Sequence, residues 1–296
     1  MNYPTVKQLK YFIALVEHNH FGKAAESCFV SQSAFSVAIK EMENTLGGQL
    51  VDRTNKSVTV SNLGREVYQQ ALVIVSELTR MVDIAQGNLM PLTGKLSLGV
   101  IPTIAPFVLP DLLPAIRQKY PQLELNIQEG MTLEIYEKLM LGELDVLLLA
   151  LPYDLRGVES EILFRDHFKL IAHKKSQHST DNDYRIDHLK DGSILLLEDG
   201  HCLRDHALSA CHIRNIDKVS KFATSSMLTL IEMVNYDVGI SYVPEMALKS
   251  PILKETEIVV RDLASSSYRE IGLVWRKGSV RTQEFQLLGK EIKPTV

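Results

Sequence analysis

At 296 residues the chain exceeds what one ordinary hydrophobic core holds, which predicts two or three domains. Its 45% hydrophobic and 23% charged residues are those of a globular protein, and a net charge of −4 gives no bulk signal for nucleic acid or an anionic membrane. No stretch nears the roughly 18 unbroken apolar residues of a membrane span. The opening MNYPTVKQLKYF lacks the basic-then-apolar pattern of a signal peptide, and three cysteines fall far short of a disulfide scaffold. A cytoplasmic location is expected, with any disulfide conditional.

In chain order, Leu9, Phe12, Ile13 and Val16 mark one face of a first helix. A short second helix fits HFGKAAESC, where Ala24 and Ala25 allow close approach and Cys28 is expected to pack into the core. The stretch FVSQSAFSVAIKEMENTLGGQL reads as a turn and a third helix, capped by Ser31 and ended by Gly47 and Gly48. Phe35, Ile39, Met42 and Leu46 form its inward stripe, leaving Gln32, Ser33, Ser36 and Lys40 outward. These residue types suit base edges and phosphates in a major groove. LVDRTNKSVTV reads as a β-wing with Arg53 and Lys56 near its tip. Residues 1–60 carry six Lys/Arg and five Asp/Glu, a net of +1, so an unspecialised three-helix bundle remains open at this point.

Residues 61–90 read as one long helix. Val67, Ala71, Ile74, Leu78, Met81 and Ala85 alternate four and three apart, the period of a coiled coil, which favours pairing with a second copy over an ordinary helix packed on the body of its own chain. Pro91 and Gly94 then break the helix. Beyond them strands and helices alternate: KLSLGVI, helix 104–119, LELNIQE, helix 132–142, LDVLLLAL, SILLLE, helix 202–211, KVSKFAT, helix 226–236, VGISYVP, IGLVWRK and helix 280–292. This pattern predicts two Rossmann-like α/β lobes, with ligands held beyond the carboxyl ends of the strands.

The segment EDGHCLRDHALSACHIRN holds two of the three cysteines. Cys202 falls in the first turn of a helix, where the dipole and Arg204, His201 and His206 favour thiolate and Asp205 opposes it. Nine residues of helix separate Cys202 from Cys211 by about 13.5 Å and half a turn, so a bond between them requires the helix to come apart. From the residues alone, three readings stay open: a redox pair, two incidental buried thiols, or a metal site drawing on His201, Cys202, His206, Cys211 and His212. The last lacks any CxxC or HxxxH element.

FGKAAESCFVSQSAFSVAIKEMENTLGGQLVDRT resembles the winged helix-turn-helix of LysR-type transcriptional regulators, with Ser33 where proline is frequent. The resemblance implies an all-α winged helix-turn-helix domain over 1–60, a dimerising linker helix over 61–90, and an effector domain over 91–296. That last domain would have the two-lobed, periplasmic-binding-protein-like α/β fold, with lobe I about 91–164 and 268–296 and lobe II about 165–267. LLLEDGHCLRDHALSAC, LGVIPTIAPFVLP and IGLVWRKGS further resemble peroxide-sensing members of the family. That resemblance implies Cys202 as the residue hydrogen peroxide oxidises and Cys211 as its resolving partner. Thr103, Thr132, His201, Arg204, Asp205 and Arg276 would bind peroxide or stabilise the thiolate. DNA contacts fall to Ser31, Gln32, Ser33, Ser36, Lys40, Arg53 and Lys56. The implied partners are double-stranded operator DNA, further copies of the chain (a dimer through 61–90 and a tetramer overall) and RNA polymerase. No cofactor, metal, membrane or catalytic turnover is expected. Two other readings are a family member answering a small organic ligand between the lobes, and a thiol peroxidase. The N-terminal module argues against the second.

Overall fold

The computed structural model describes residues 3–53, 58–85, 91–176, 189–211, 213–263 and 267–293. The chain divides into two compact units, Met1–Leu89 with the Met140–Glu143 turn, and Met90–Leu139 with Leu144–Val296.

In the first unit α1 (Val6–His18) opens on a reciprocal cap: the Thr5 hydroxyl accepts from the Gln8 N–H while the Gln8 side chain accepts from the Thr5 N–H. α2 (Phe21–Ser27) packs through Ala24 and Ala25, both buried. α3 (Gln32–Leu46) ends at Gly47, whose φ of 73° suits glycine. Phe35 is fully buried, stacked on Tyr11 at 5.0 Å and met edge-on by Phe21 at 6.1 Å, and so fixes α3 against the other two helices. β1 (Val51–Arg53) and β2 (Val58–Val60) pair antiparallel as the wing. α4 (Asn62–Ala85) places Ala71, Val67 and Val75 in this same core.

The second unit is built on a mixed sheet, nine-stranded among the described residues, in the order β4-β3-β5-β11-β6-β9-β7-β8 with β10 also on β6. Its elements are β3 (Gly94–Val100), α5 (Ala105–Lys119), β4 (Leu123–Glu129), α6 (Thr132–Met140), β5 (Val146–Leu151), β6 (Val158–His173), β7 (Ile194–Leu197), α7 (Cys202–Ala210), β8 (Val219–Thr224), α8 (Met227–Asn235), β9 (Ile240–Pro244), β10 (Ile258–Asp262), β11 (Tyr268–Arg276) and α9 (Thr282–Glu291). All six residues of β5 and all four of β7 are buried, the signature of strands covered on both faces.

Two strands escape the sequence pattern. β6 is sixteen residues long and threads both halves of the sheet, pairing β11 through Val158–His167 and β9 through Phe168–Ile171. Charged residues along VESEILFRDHFKLIAH hide its alternation. β10 is short and half-buried, with no clean period.

Candidate functional site

In the first unit the Ser31 hydroxyl accepts from the Ala34 N–H at 3.3 Å and lies 3.1 Å from the Ser33 hydroxyl, so it starts α3. Gln32, Ser33 and Lys40 are exposed on α3 and Ser36 is half-buried. Val37, 56% exposed, shares the face of Ser33, Ser36 and Lys40 at helical spacing and was not among the expected contacts. The backbone of Arg53 lies in β1; its side chain, and Lys56 altogether, lie outside the described residues.

In the second unit the chain turns from β7 through Gly200, whose φ of +97° favours glycine, into α7. Cys202 is the first residue of α7 and 3% exposed; Cys211 caps its other end, and both thiols are free. The helix between them is unbroken, so about 13.5 Å of rise separates the two residues, twice the reach of a disulfide.

Burial pushes the Cys202 thiol up from its ordinary range. Against that act the guanidinium of Arg269, the Thr132 hydroxyl and the backbone at Ala150, while Asp205 adds to the rise. The resting thiol is therefore held protonated, contrary to the expectation of a thiolate, because desolvation outweighs the positive charge. Nor do the expected cations supply that charge. Arg204 pairs with Asp199 at 2.8 Å and donates to the Leu197 carbonyl at 3.2 Å. His201 and His206 are held neutral, both pushed down by burial. His206 donates through Nε2 to the Pro152 carbonyl at 3.1 Å, leaving Nδ1 buried without a hydrogen-bond partner. The buried His201 Nε2 likewise has none. Cys211 is pushed up to about 12 by burial, eased by the Ser267 hydroxyl, which donates to the Ala210 carbonyl at 2.6 Å.

The cation that reaches Cys202 is Arg269, the largest fully buried side chain among the described residues. Its Nε donates to Asp166 Oδ2 at 2.9 Å, Nη1 to the Thr103 hydroxyl at 3.0 Å and Nη2 to the Thr103 carbonyl at 3.0 Å. Asp166 in turn accepts from the Met246 N–H at 3.1 Å. Thr132, Asp205 and Arg269 thus act on Cys202, and Thr103 joins them through its hydrogen bonds to Arg269. Arg276 does not. Seven residues further along β11, on the opposite face, its guanidinium donates to the Leu139 and Leu144 carbonyls. The expectation for Arg276 is corrected to Arg269. Arg269 is in phase with Ile271, two residues before the point where the strand was read to begin, but that phase alone does not disclose its partner.

A cleft of about 590 Å³ is lined by His201, the chain neighbour of Cys202, together with Pro102, Phe107, Glu129, Met131 and Ser226; Cys202 itself does not line it. Among the described residues no group of three His, Cys, Asp or Glu is placed to hold a metal ion, and His212 lies outside them. No helix among them is long and apolar enough to cross a membrane.

A winged helix-turn-helix joined to an α/β unit with a cleft defines a class of ligand- or signal-responsive DNA-binding proteins. The family model "Bacterial regulatory helix-turn-helix protein, lysR family" matches residues 6–65, and "LysR substrate binding domain" matches residues 91–295. The chain belongs to the LysR family of transcriptional regulators. It is 37% identical to the HTH-type transcriptional regulator EstR of Acinetobacter baylyi, over 96% of this chain and 95% of that protein. It is 31% identical to the DNA-binding transcriptional dual regulator OxyR of Escherichia coli, over 97% and 94%. A full-length OxyR variant from Pseudomonas aeruginosa has a like structure, with a TM-score of 0.80 and 30% identity over 98% of both chains. The chain is therefore a LysR-type transcriptional regulator related to OxyR.

Proposed function

We propose that this regulator senses hydrogen peroxide through Cys202 and Cys211. The observation that carries the reading is two reduced, buried thiols at opposite ends of one unbroken helix, with a buried arginine beside the first. In the first step the Cys202 thiol attacks peroxide: an S–O bond forms, the O–O bond breaks, and water leaves with the thiol proton, giving a sulfenic acid. In the second, the Cys211 thiol displaces the hydroxyl of that sulfenic acid, forming the disulfide and a second water. The two cysteines lose two electrons and peroxide gains them. Arg269 and Thr132 offset burial as charge develops on sulfur. Because the disulfide cannot span α7, the helix unwinds, and the chemical event becomes a conformational one that alters DNA binding.

The functional unit is a dimer through α4, assembled further to a tetramer, acting in the cytoplasm on operator DNA with RNA polymerase. The test is mass mapping of thiols before and after stoichiometric peroxide, with DNA binding measured on the same samples. Wild type should lose two thiols and change its DNA binding, and Cys202→Ser should do neither. Equal responses in the two proteins would overturn the mechanism.

A second reading is favoured by the cleft lined by His201, whose Nε2 awaits a hydrogen-bond partner. There a small organic ligand binds between the lobes and the thiols are incidental. It predicts ligand-dependent DNA binding at constant thiol count.

A further inference from the structure

α2 ends in a Schellman turn: the Phe29 N–H donates to the Glu26 carbonyl and the Val30 N–H to the Ala25 carbonyl, both at 3.0 Å. The residue at its left-handed position, where glycine is usual, is Phe29, with φ of 55°. Four non-glycine residues among those described have positive φ. Asn19 and Asp237 are types that tolerate it and Leu92 is buried, whereas the Phe29 ring is 96% exposed. The strain is thus offset by no packing within the chain. Phe29 stands two residues before the Ser31 cap of α3, at the end of the recognition helix that enters the groove. Val37, on the outward face of that helix, is the other large apolar side chain left in solvent beside its polar contacts.

We infer that Phe29 and Val37 form an apolar reader of thymine methyl groups in the major groove of the operator. The C5-methyl of thymine is the one apolar feature of the groove edge and is read by apolar contact. The inference rests on DNA recognition through α3 and is independent of the peroxide chemistry.

Duplexes selected from a random library by the full-length protein supply the bound sequence. Each thymine in it is then replaced by uracil, which removes the methyl and keeps the base pair. Wild type should lose about fourfold in affinity at one or more positions, the worth of one buried methyl. Val37→Ala and Phe29→Gly should bind more weakly than wild type and lose that sensitivity. Phe29→Gly should unfold at an equal or higher temperature, since glycine relieves the left-handed strain. Insensitivity of wild type to every replacement, or full sensitivity retained in both variants, would overturn the assignment. Sensitivity retained in one variant removes that residue from it. Absence of any sequence-selective DNA binding by wild type would instead overturn the regulator reading.

Discussion

Removing the guanidinium of Arg269 strands the Asp166 carboxylate in the core, where the Met246 N–H still donates to it. Breaking one side of such a buried pair costs about 3–5 kcal/mol. Arg269→Met should therefore lower stability by that order in urea unfolding, and adding Asp166→Asn should recover part of the loss. Cys211 makes a pH prediction. Its thiol keeps its proton in the folded state up to about 12, whereas the unfolded chain releases it near the ordinary value of 9.0. The folded state binds more protons across that window, so its stability is full below pH 9 and falls as pH rises towards 12. Between pH 9 and 10 wild type should lose about 1 kcal/mol more than Cys211→Ala, measured by urea unfolding at each pH. At this scale the string around Cys202 was readable because its thiols, charges and glycine are local. Arg269 was not, because its meaning comes from Asp166, opposite it on a strand 103 residues away.

Helices were the legible elements. Caps and stripes at Ser31, Phe35 and Gly47 announce α3 within a few residues, and the structure matches them except at Leu46, read as inward but 39% exposed in the last turn. β6 was hidden because its register is set by neighbours: one end lies against β11 and the other against β9, so no single face is apolar along its length. α7 packs into the core through Leu203 and Ala207 and is also tied at both ends. Ser267 holds the Ala210 carbonyl at one end, and Arg204 ties the other to the Leu197 carbonyl. Ser267→Ala should cost about 1 kcal/mol, the net worth of one hydrogen bond, and hasten amide hydrogen exchange in the last turn of α7. Unchanged exchange there would show that the end is held otherwise. In the first turn of α4, a Cβ on Gly64 would collide with the Leu50 carbonyl, so Gly64→Ala should lower the unfolding temperature of the first unit while leaving the α/β unit intact.

For the molecule as a whole, α4 divides the expected coiled-coil seam. Val67 and Ala71 belong to the core of their own unit, while Ile74 and Met81 are 45% and 59% exposed. On the proposed dimer, the exposed Ile74 and Met81 would carry the contact, a distinction periodicity could not make because both packings use the same spacing. Ile74→Asp with Met81→Asp should reduce the mass measured by light scattering and weaken operator binding by removing one of two paired half-sites. A mass equal to wild type would move the dimer contact elsewhere. If the proposed disulfide forms, the nine-residue interval within α7 also bears on its reduction potential. On the proposed mechanism, every increment of helix stability present only in the reduced state is subtracted from the driving force for closing the disulfide. About 1.4 kcal/mol shifts the reduction potential by about 30 mV towards the oxidising side. The alarm threshold of the sensor is then set by caps such as Ser267 and Arg204, which touch neither sulfur, so it can be retuned by substitutions that leave the chemistry of the thiols unchanged.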